Sequence, residues 1–387
     1  MVIIKALKIR IYPSRTQQHQ IDTTLNCCRF VYNHMLSRND KSYKRRKEHL
    51  SYNDMQNLLP VMKKYLPWLM EADSQALKYA CRQVDNAYQR FFKQQGGYPK
   101  YKRKRGVQSY ATTNGKSVHI DDTAHKIKIP IVGWIKCRGL RLPEDGYTIQ
   151  QATVTRDTDG KYYASICYKY EAIDVPDRPI QKIIGLDYKI TGLYVDSNGF
   201  CPDKDKHFAK ALNKLAVEQQ KLSTKQGSRK GEHKSKRYLK QLVRVNKVHK
   251  RISNQRRDFL HKQSNMIAKC YDAVCIEDIN IKDMYAKYGE DISNHVAEHN
   301  INHTIADDGW YMFTQMLDYK LRWQGKQLIK VAKDYPSSET CSCCGNVQDM
   351  PLHIRTYHCS KCGMILDRDI NAAVNILSEG MRVLGIS

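Results

Sequence analysis

Two groups of residues have types and spacing suited to chemistry. The first is a double cysteine knuckle, Cys341-Ser-Cys-Cys344-Gly and Cys359-Ser-Lys-Cys362-Gly, with 14 residues between the pairs. A two-residue spacer lets a tight turn aim both thiolates at one ion, and a glycine after each pair suits that turn. Cys341, Cys344, Cys359 and Cys362 therefore predict one tetrahedral Zn2+ ion, although the gap is one residue short of the usual range. Four protein ligands leave no open position for water, so this zinc is structural. Cys343 remains an alternative ligand to its neighbours. Two unrelated thiol pairs are the bland reading, and the doubled pattern argues against it. Alone, the knuckles predict a binding module and no catalysis.

The second group is acidic. Asp187 ends the apolar run Ile183-Ile-Gly-Leu186, Glu277 ends Ala273-Val-Cys-Ile276, and Asp369 lies in Asp367-Arg-Asp-Ile-Asn-Ala-Ala373. Carboxylates that end apolar strands lose hydration energy unless a cation compensates. Hydrolysis of a phosphodiester by two divalent ions roughly 4 Å apart needs clustered carboxylates. Magnesium takes few of them, so three acids from separate elements suffice. Each acid also has a bland reading: a strand-end turn for Asp187 and Glu277, a helix cap for Asp367 or Asp369. Spacing along the chain does not bring the three together.

The elements that must position these residues follow from periodicity. Ile4 to Tyr12 alternates apolar and polar residues and reads as a strand. A helical region follows, and its clearest helix starts after Asp73-Ser74, with Leu77, Ala80, Cys81, Val84 and Tyr88 at helical spacing. Gly96-Gly-Tyr-Pro99 breaks it. Ser117 to Tyr170 returns to short alternating runs, with a hairpin turn at Asp157-Thr-Asp-Gly160. This predicts a small β-barrel or sheet that the first strand can join, interrupted by a helical insertion. Pro176 to Pro179 marks a linker. Beyond it, Lys182 to Asp187 and Thr191 to Asp196 read as a hairpin, and 206–270 as helices broken near Gly227 to Gly231. Then come a strand at Ala273 to Glu277, a mobile loop over 281–305, a helix at Asp308 to Gly325 and a strand at Leu328 to Val331. A last helix opens near Asp369 and runs to about Leu377.

Charge says what such a protein meets. Its 387 residues carry 65 Lys+Arg against 39 Asp+Glu, a formal net charge of +26, and a polyanion is the usual counterpart. Hydrophobic residues make up 41%, which excludes a disordered chain. No apolar run is long enough to span a bilayer, and no secretory signal opens the sequence. The thirteen cysteines are odd in number. Cys27, Cys28, Cys81, Cys167, Cys270 and Cys275 read as small buried hydrophobes in a reducing cytoplasm. Lys100, Lys102, Arg103, Lys104 and Arg105 form one basic run. Between Lys221 and Lys262 lie 15 Lys/Arg and two acids, with Lys236, Arg237, Lys240 and Arg244 as candidate nucleic-acid contacts. A solvated helical face is the bland reading. Like charges this dense repel unless a polyanion lies against them. The 25 tyrosines offer stacking platforms for unpaired bases, though many serve the core.

Several stretches together carry a resemblance. Lys8-Ile-Arg-Ile-Tyr-Pro13 and Cys27-Cys-Arg-Phe-Val-Tyr-Asn33 come first, then Gly185-Leu-Asp-Tyr188 with Gly192-Leu-Tyr-Val-Asp-Ser-Asn-Gly199. Arg257-Asp-Phe-Leu-His-Lys262, Ile276-Glu-Asp-Ile-Asn-Ile281, Pro336-Ser-Ser-Glu-Thr-Cys-Ser-Cys-Cys-Gly345 and Asp367-Arg-Asp-Ile-Asn-Ala-Ala373 follow. Over most of its length the chain resembles the TnpB family, small transposon-encoded RNA-guided nucleases related to the type V CRISPR effectors. The cysteine ribbon followed closely by the acidic motif is the most specific part.

The resemblance implies an α/β multidomain fold. An RNase H-like (RuvC) nuclease domain covers 179–338 and 365–387, with a zinc ribbon inserted at 339–364. A β-barrel wedge domain covers 1–12 and 106–178, with a helical recognition lobe inserted at 13–105. Asp187, Glu277 and Asp369 would hold two catalytic Mg2+ ions. Glu277 is preferred to Asp278 because strand alternation sends them to opposite faces; Asp369 is preferred to Asp367 because the family's first acid varies. Lys189 departs from the small residue common in the family; it puts a cation near the acids unless its side chain points away, and it removes no ligand. The implied partners are a guide RNA and target double-stranded DNA beside a short adjacent motif, with no membrane, in a prokaryotic cytoplasm or nucleoid; the oligomeric state is open, a monomer being favoured over a dimer. A guided binder without cleavage is disfavoured by the intact acids. A guide-independent zinc-ribbon DNA-binding or transposition accessory protein leaves 180–200 and 270–280 unexplained.

Overall fold

In the computed structural model the residues described are 2–104, 106–142, 146–171, 179–189, 192–203, 206–228, 232–279, 309–351 and 353–386, with 206–208 as backbone only. Contacts divide the chain into two units, Met1–Asp174 and Val175–Ser387. No described helix is long and apolar enough to cross a membrane. The linker at 176–178 and the loop expected over 281–305 lie outside the described residues.

In the first unit, β1 (Val2–Tyr12) is the hub of the sheet. It pairs antiparallel with β7 (Tyr162–Glu171) from Val2↔Glu171 to Ile11↔Tyr162, and with β5 (Gly133–Arg138) at its far end. The seven strands run in the order β2-β6-β7-β1-β5-β4-β3, all neighbours antiparallel, with β2 (Gln108–Thr112) and β3 (His119–Asp121) outermost. β4 is Lys126–Ile129 and β6 is Tyr147–Arg156. Between β1 and β2 the chain forms α1 (Arg15–Arg46), α2 (Tyr52–Asn57), α3 (Leu59–Tyr65) and α4 (Ser74–Phe92). Ser14 and Gln17 make a capping box that starts α1, and Asp73 caps α4. Ile9 and Ile11 of β1 share one hydrophobic core with Met35 of α1, Leu77 and Val84 of α4, and Ile127, Ile135 and Ala164 of the sheet.

The second unit is built on a four-stranded sheet, β11-β10-β8-β9. β10 (Ala273–Glu277) lies parallel to both β8 (Ile183–Tyr188) and β11 (Gln327–Val331), while β9 (Tyr194–Asp196) returns antiparallel to β8. Alternation then sorts the side chains. Ile184, Leu186, Val274 and Ile276 pack with Leu260 and Ile267 of α6 (Lys236–Cys270) and with Phe313 and Leu317 of α7 (Trp310–Arg322). On the other face, Ile183, Cys275 and Val331 pack with Ile376 of α8 (Arg368–Leu384). α5 (Lys206–Ser223) pairs with α6 through Ala211, Val248 and Ile252.

Three expectations need correction. α8 continues seven residues past Leu377, because Gly380 lies inside it against Cys275 and is not a stop. Cys270 is exposed rather than buried: it is the last residue of α6, beyond the buried Ile267 and Ala268. Cys167 is half-buried, since alternation on β7 turns it away from the side that buries Ile166 and Tyr168.

Candidate active site and metal centre

The alternation that buries Ile184 and Leu186 on one face turns Asp187 to the other, the face that α8 covers. Glu277 follows Cys275 onto the same face by the same rule. α8 lies close because two glycines let it. A methyl on Gly185 would lie 2.2 Å from Ala373 O, and one on Gly380 would lie 2.1 Å from Cys275 Sγ. Asp367 caps the helix, its Oδ1 accepting from the backbone N–H of Asp369 (2.9 Å) and Ile370 (3.2 Å). That leaves the Asp369 carboxyl, in the first turn, for the sheet face. Asp278 turns aside to Lys330, 2.7 Å away.

The charges of Asp369 and Glu277 both act on Asp187. The Asp187 carboxyl is pushed well above the usual carboxylate range, first by burial, then by the charges of Asp369 and Glu277. The Tyr188 N–H and the Arg368 charge oppose this without reversing it. The Asp187 residue keeps some exposed surface, but the density of protein around its carboxyl matters more to the ionised form. Carboxylates that act on a neighbour in this way are hard oxygen donors, of the kind that suits a divalent cation such as Mg2+. Beside Glu277 runs a cleft lined by Asp278, Trp310, Tyr311, Thr314, Gln315 and Lys330.

Lys189 does not point away. Its Nζ lies 2.8 Å from Asp369 Oδ2, and Arg355 NH1 stands 3.9 Å from Oδ1. Burial draws the lysine's pKa down, but the hydrogen bond and charge of Asp369 outweigh it and leave it raised. Both directions were open from sequence, which does not show how a strand-end side chain turns, and a carboxylate draws a nearby cation toward it.

The cysteines converge as the spacing predicts. Sγ of Cys341, Cys344, Cys359 and Cys362 all lie within 4.8 Å of one another, with Cys341–Cys362 at 3.7 Å and Cys344–Cys359 at 3.6 Å. Tetrahedral Zn–S bonds of about 2.3 Å put sulfurs about 3.8 Å apart, so the four could hold zinc. Both knuckles fold alike: Gly345 N–H donates to Cys341 O, and Gly363 N–H to Cys359 O, with both glycines at positive φ (70° and 73°). Cys343 is exposed and outside the group. Cys359 is pushed down to about 6, first by the Cys362 N–H, while Cys362 is pushed up to about 12 by burial and its three neighbouring thiols against the Met364 N–H. β12 (Thr356–His358) and β13 (Ile365–Asp367) pair antiparallel, and β13 runs directly into α8.

Three residues that seat this ribbon were not singled out from sequence. Asn371 Nδ2 donates to Thr340 O (2.7 Å) and its Oδ1 accepts from Ser342 N–H (3.0 Å). Asn375 Nδ2 donates to Ser337 O (2.8 Å) and Thr340 O (2.6 Å). Arg368 NH1 donates to Pro351 O (3.0 Å). Two asparagines four apart on an otherwise apolar helix face are the legible signal, since buried amides demand partners.

The basic candidates divide. Lys236, Arg237, Lys240 and Arg244 are exposed on α6, opposite the buried Tyr238, Gln241 and Val245. Lys100, Arg103 and Lys104 are exposed, and Arg105 lies outside the described residues. Lys102 instead turns inward, its Nζ bonded to Gln83 and 4.3 Å from the Tyr32 ring centre. Burial lowers its pKa.

Comparison with known proteins finds matches over most of the chain. Residues 165–287 match a family described as "Probable transposase", 310–376 match "Cas12f1-like, TNB domain", and 1–48 match "Helix-turn-helix domain". That last stretch is here a strand followed by one unbroken helix of 32 residues. The chain is 30% identical to the "Putative RNA-guided DNA endonuclease InsQ" of Escherichia coli K12, over 98% of this chain and 93% of that protein. It is also 30% identical to a Streptomyces pristinaespiralis protein bearing the description "Putative RNA-guided DNA endonuclease", over 97% and 89%. In fold it is similar to Cas12f1, solved in a complex with sgRNA and target DNA, with a TM-score of 0.56 at 14% identity over 97% and 98% of the two chains.

Proposed function

The chain belongs to the TnpB family, and from that premise we propose that it is an RNA-guided DNA endonuclease whose bound RNA selects the DNA by base pairing. The observation that supports the chemistry is that the charges of Asp369 and Glu277 both raise the cost of ionising Asp187. In this reading the second unit is an RNase H-like (RuvC) domain over 179–338 and 365–387 that carries the zinc ribbon at 339–364. The strands of the first unit form the wedge domain over 1–12 and 106–178, and residues 13–105 form the recognition lobe.

Two Mg2+ ions held by the three carboxylates would supply an activated water and stabilise charge on the attacking and leaving oxygens. The protein's own contribution is positional. β8 and β10 fix Asp187 and Glu277 on adjacent parallel strands, the Asp367 cap frees Asp369, and Asn371 and Asn375 hold the ribbon beside it. The ribbon's four cysteines fill zinc's coordination, so they hold structure and leave the chemistry to the acids. A guide–target heteroduplex is gripped by its backbone, which the exposed Lys236, Arg237, Lys240 and Arg244, with Lys100, Arg103 and Lys104, are suited to do.

The test is to purify the protein from its native locus and sequence the RNA that accompanies it. A discrete structured RNA ending in a variable segment, and Mg2+-dependent cutting of a plasmid matching that segment, is the expected result. Protein free of defined RNA that still binds DNA would overturn it in favour of a guide-independent zinc-ribbon protein.

A further inference from the structure

Lys189 occupies an unusual place for a cation. It lies two residues beyond Asp187, at the end of β8, and reaches across to the third acid, Asp369. Of the two cations facing Asp369 among the described residues, Lys189 is the closer and the more enclosed, with 29% of its side chain exposed against 71% for Arg355. Its stem passes over Gly192, where an added methyl would meet Lys189 Cδ at 3.7 Å and Cβ at 3.9 Å as well as Cys201 Sγ at 2.8 Å. Asp369 is itself only 14% exposed, so the pair meets where water screens poorly.

We infer that Lys189 is a resident counter-ion of the acid cluster, holding Asp369 while no divalent ion is bound and competing with the ion for that carboxylate. This rests on the reading of the three acids as a metal site. Two physical consequences follow from one ammonium group. With no ion bound, it offsets part of the repulsion between Asp369 and Asp187, so the site stays assembled. When an ion arrives, the ammonium must leave Oδ2 or share it, so the ion binds more weakly than three carboxylates alone would bind it. Lys189 is therefore a positioning residue that sets how much divalent ion the site requires.

The experiment measures Mn2+ uptake by calorimetry on the full-length chain, with an Asp187→Ala sample as the blank for ions bound elsewhere. Lys189→Met should tighten the site-specific component by on the order of tenfold and lower the melting temperature measured in chelator. Lys189→Arg, which keeps the charge, should stay close to wild type in both. If Lys189→Met fails to fold, Lys189→Gln carries the same test. Wild-type Mn2+ affinity in the uncharged variant would overturn the inference, even with a lowered melting temperature, because that pattern marks a purely structural lysine. Wild-type protein taking up no more Mn2+ than the blank would instead sink the metal-site reading beneath it.

Discussion

Gly185 and Ala373 meet backbone to backbone: a methyl added to the glycine would lie 2.2 Å from the alanine's carbonyl oxygen and 2.8 Å from Leu377 N. A backbone neighbour cannot rotate out of the way, so this contact fixes the depth at which α8 sits on β8. Overpacking typically costs about 1–3 kcal/mol, and Gly185→Ala should reach the upper end. Its melting temperature should fall and its cleavage should drop although all three acids remain. Thermal unfolding and a cleavage assay check this together, and an unchanged melting temperature would show that α8 can shift freely.

Asp187→Ala should lower cleavage by on the order of a hundredfold or more, since metal-assisted charge stabilisation is worth several kcal/mol. RNA-dependent target binding should survive, and Glu277→Ala and Asp369→Ala should behave alike. Binding lost in a folded Asp187→Ala protein would show that the acid's role is not confined to chemistry.

Replacing Cys341 and Cys344 by Ser should release about one zinc per chain. Cys343→Ser should keep it, because that thiol lies outside the group of four. Elemental analysis decides both, and unchanged metal content in the double variant would refute the ribbon assignment.

Changing Lys236, Arg237, Lys240 and Arg244 to Gln should weaken nucleic-acid binding and flatten its dependence on salt, by a slope of up to about one for each phosphate contact removed. Binding titrations at several salt concentrations measure that slope. The same slope as wild type would return this face of α6 to plain solvation.

Where local sequence sets local structure, the fold was legible. Ala273–Glu277 is a strand with the expected ends, because a short apolar run closed by an acid leaves little choice. The two knuckles read correctly for the same reason: spacing and glycine together define each turn. What stayed hidden depended on distant partners. α8 runs past Ser378-Glu379-Gly380 because Gly380 packs on Cys275, a residue far away in the chain. Asp367 and Asp369 were equal candidates for the cap until the helix start was fixed. The unbroken length of α1 was not read, although its Ser14–Gln17 box was there to find. The direction of Lys189 stayed open because its partner, Asp369, lies on a distant element of the chain.

The parallel pairing of β8 with β10, spanned by α5 and α6, also sets an order of events in time. Contacts between segments far apart in sequence form slowly, since the intervening chain must close first. During synthesis, a chain made only as far as β11 already has Asp187, Glu277 and the basic face of α6. It lacks Asp369 and the helix whose two glycine contacts seat that acid against the sheet. A nascent chain can thus present its surface for nucleic acid well before its acid cluster is complete.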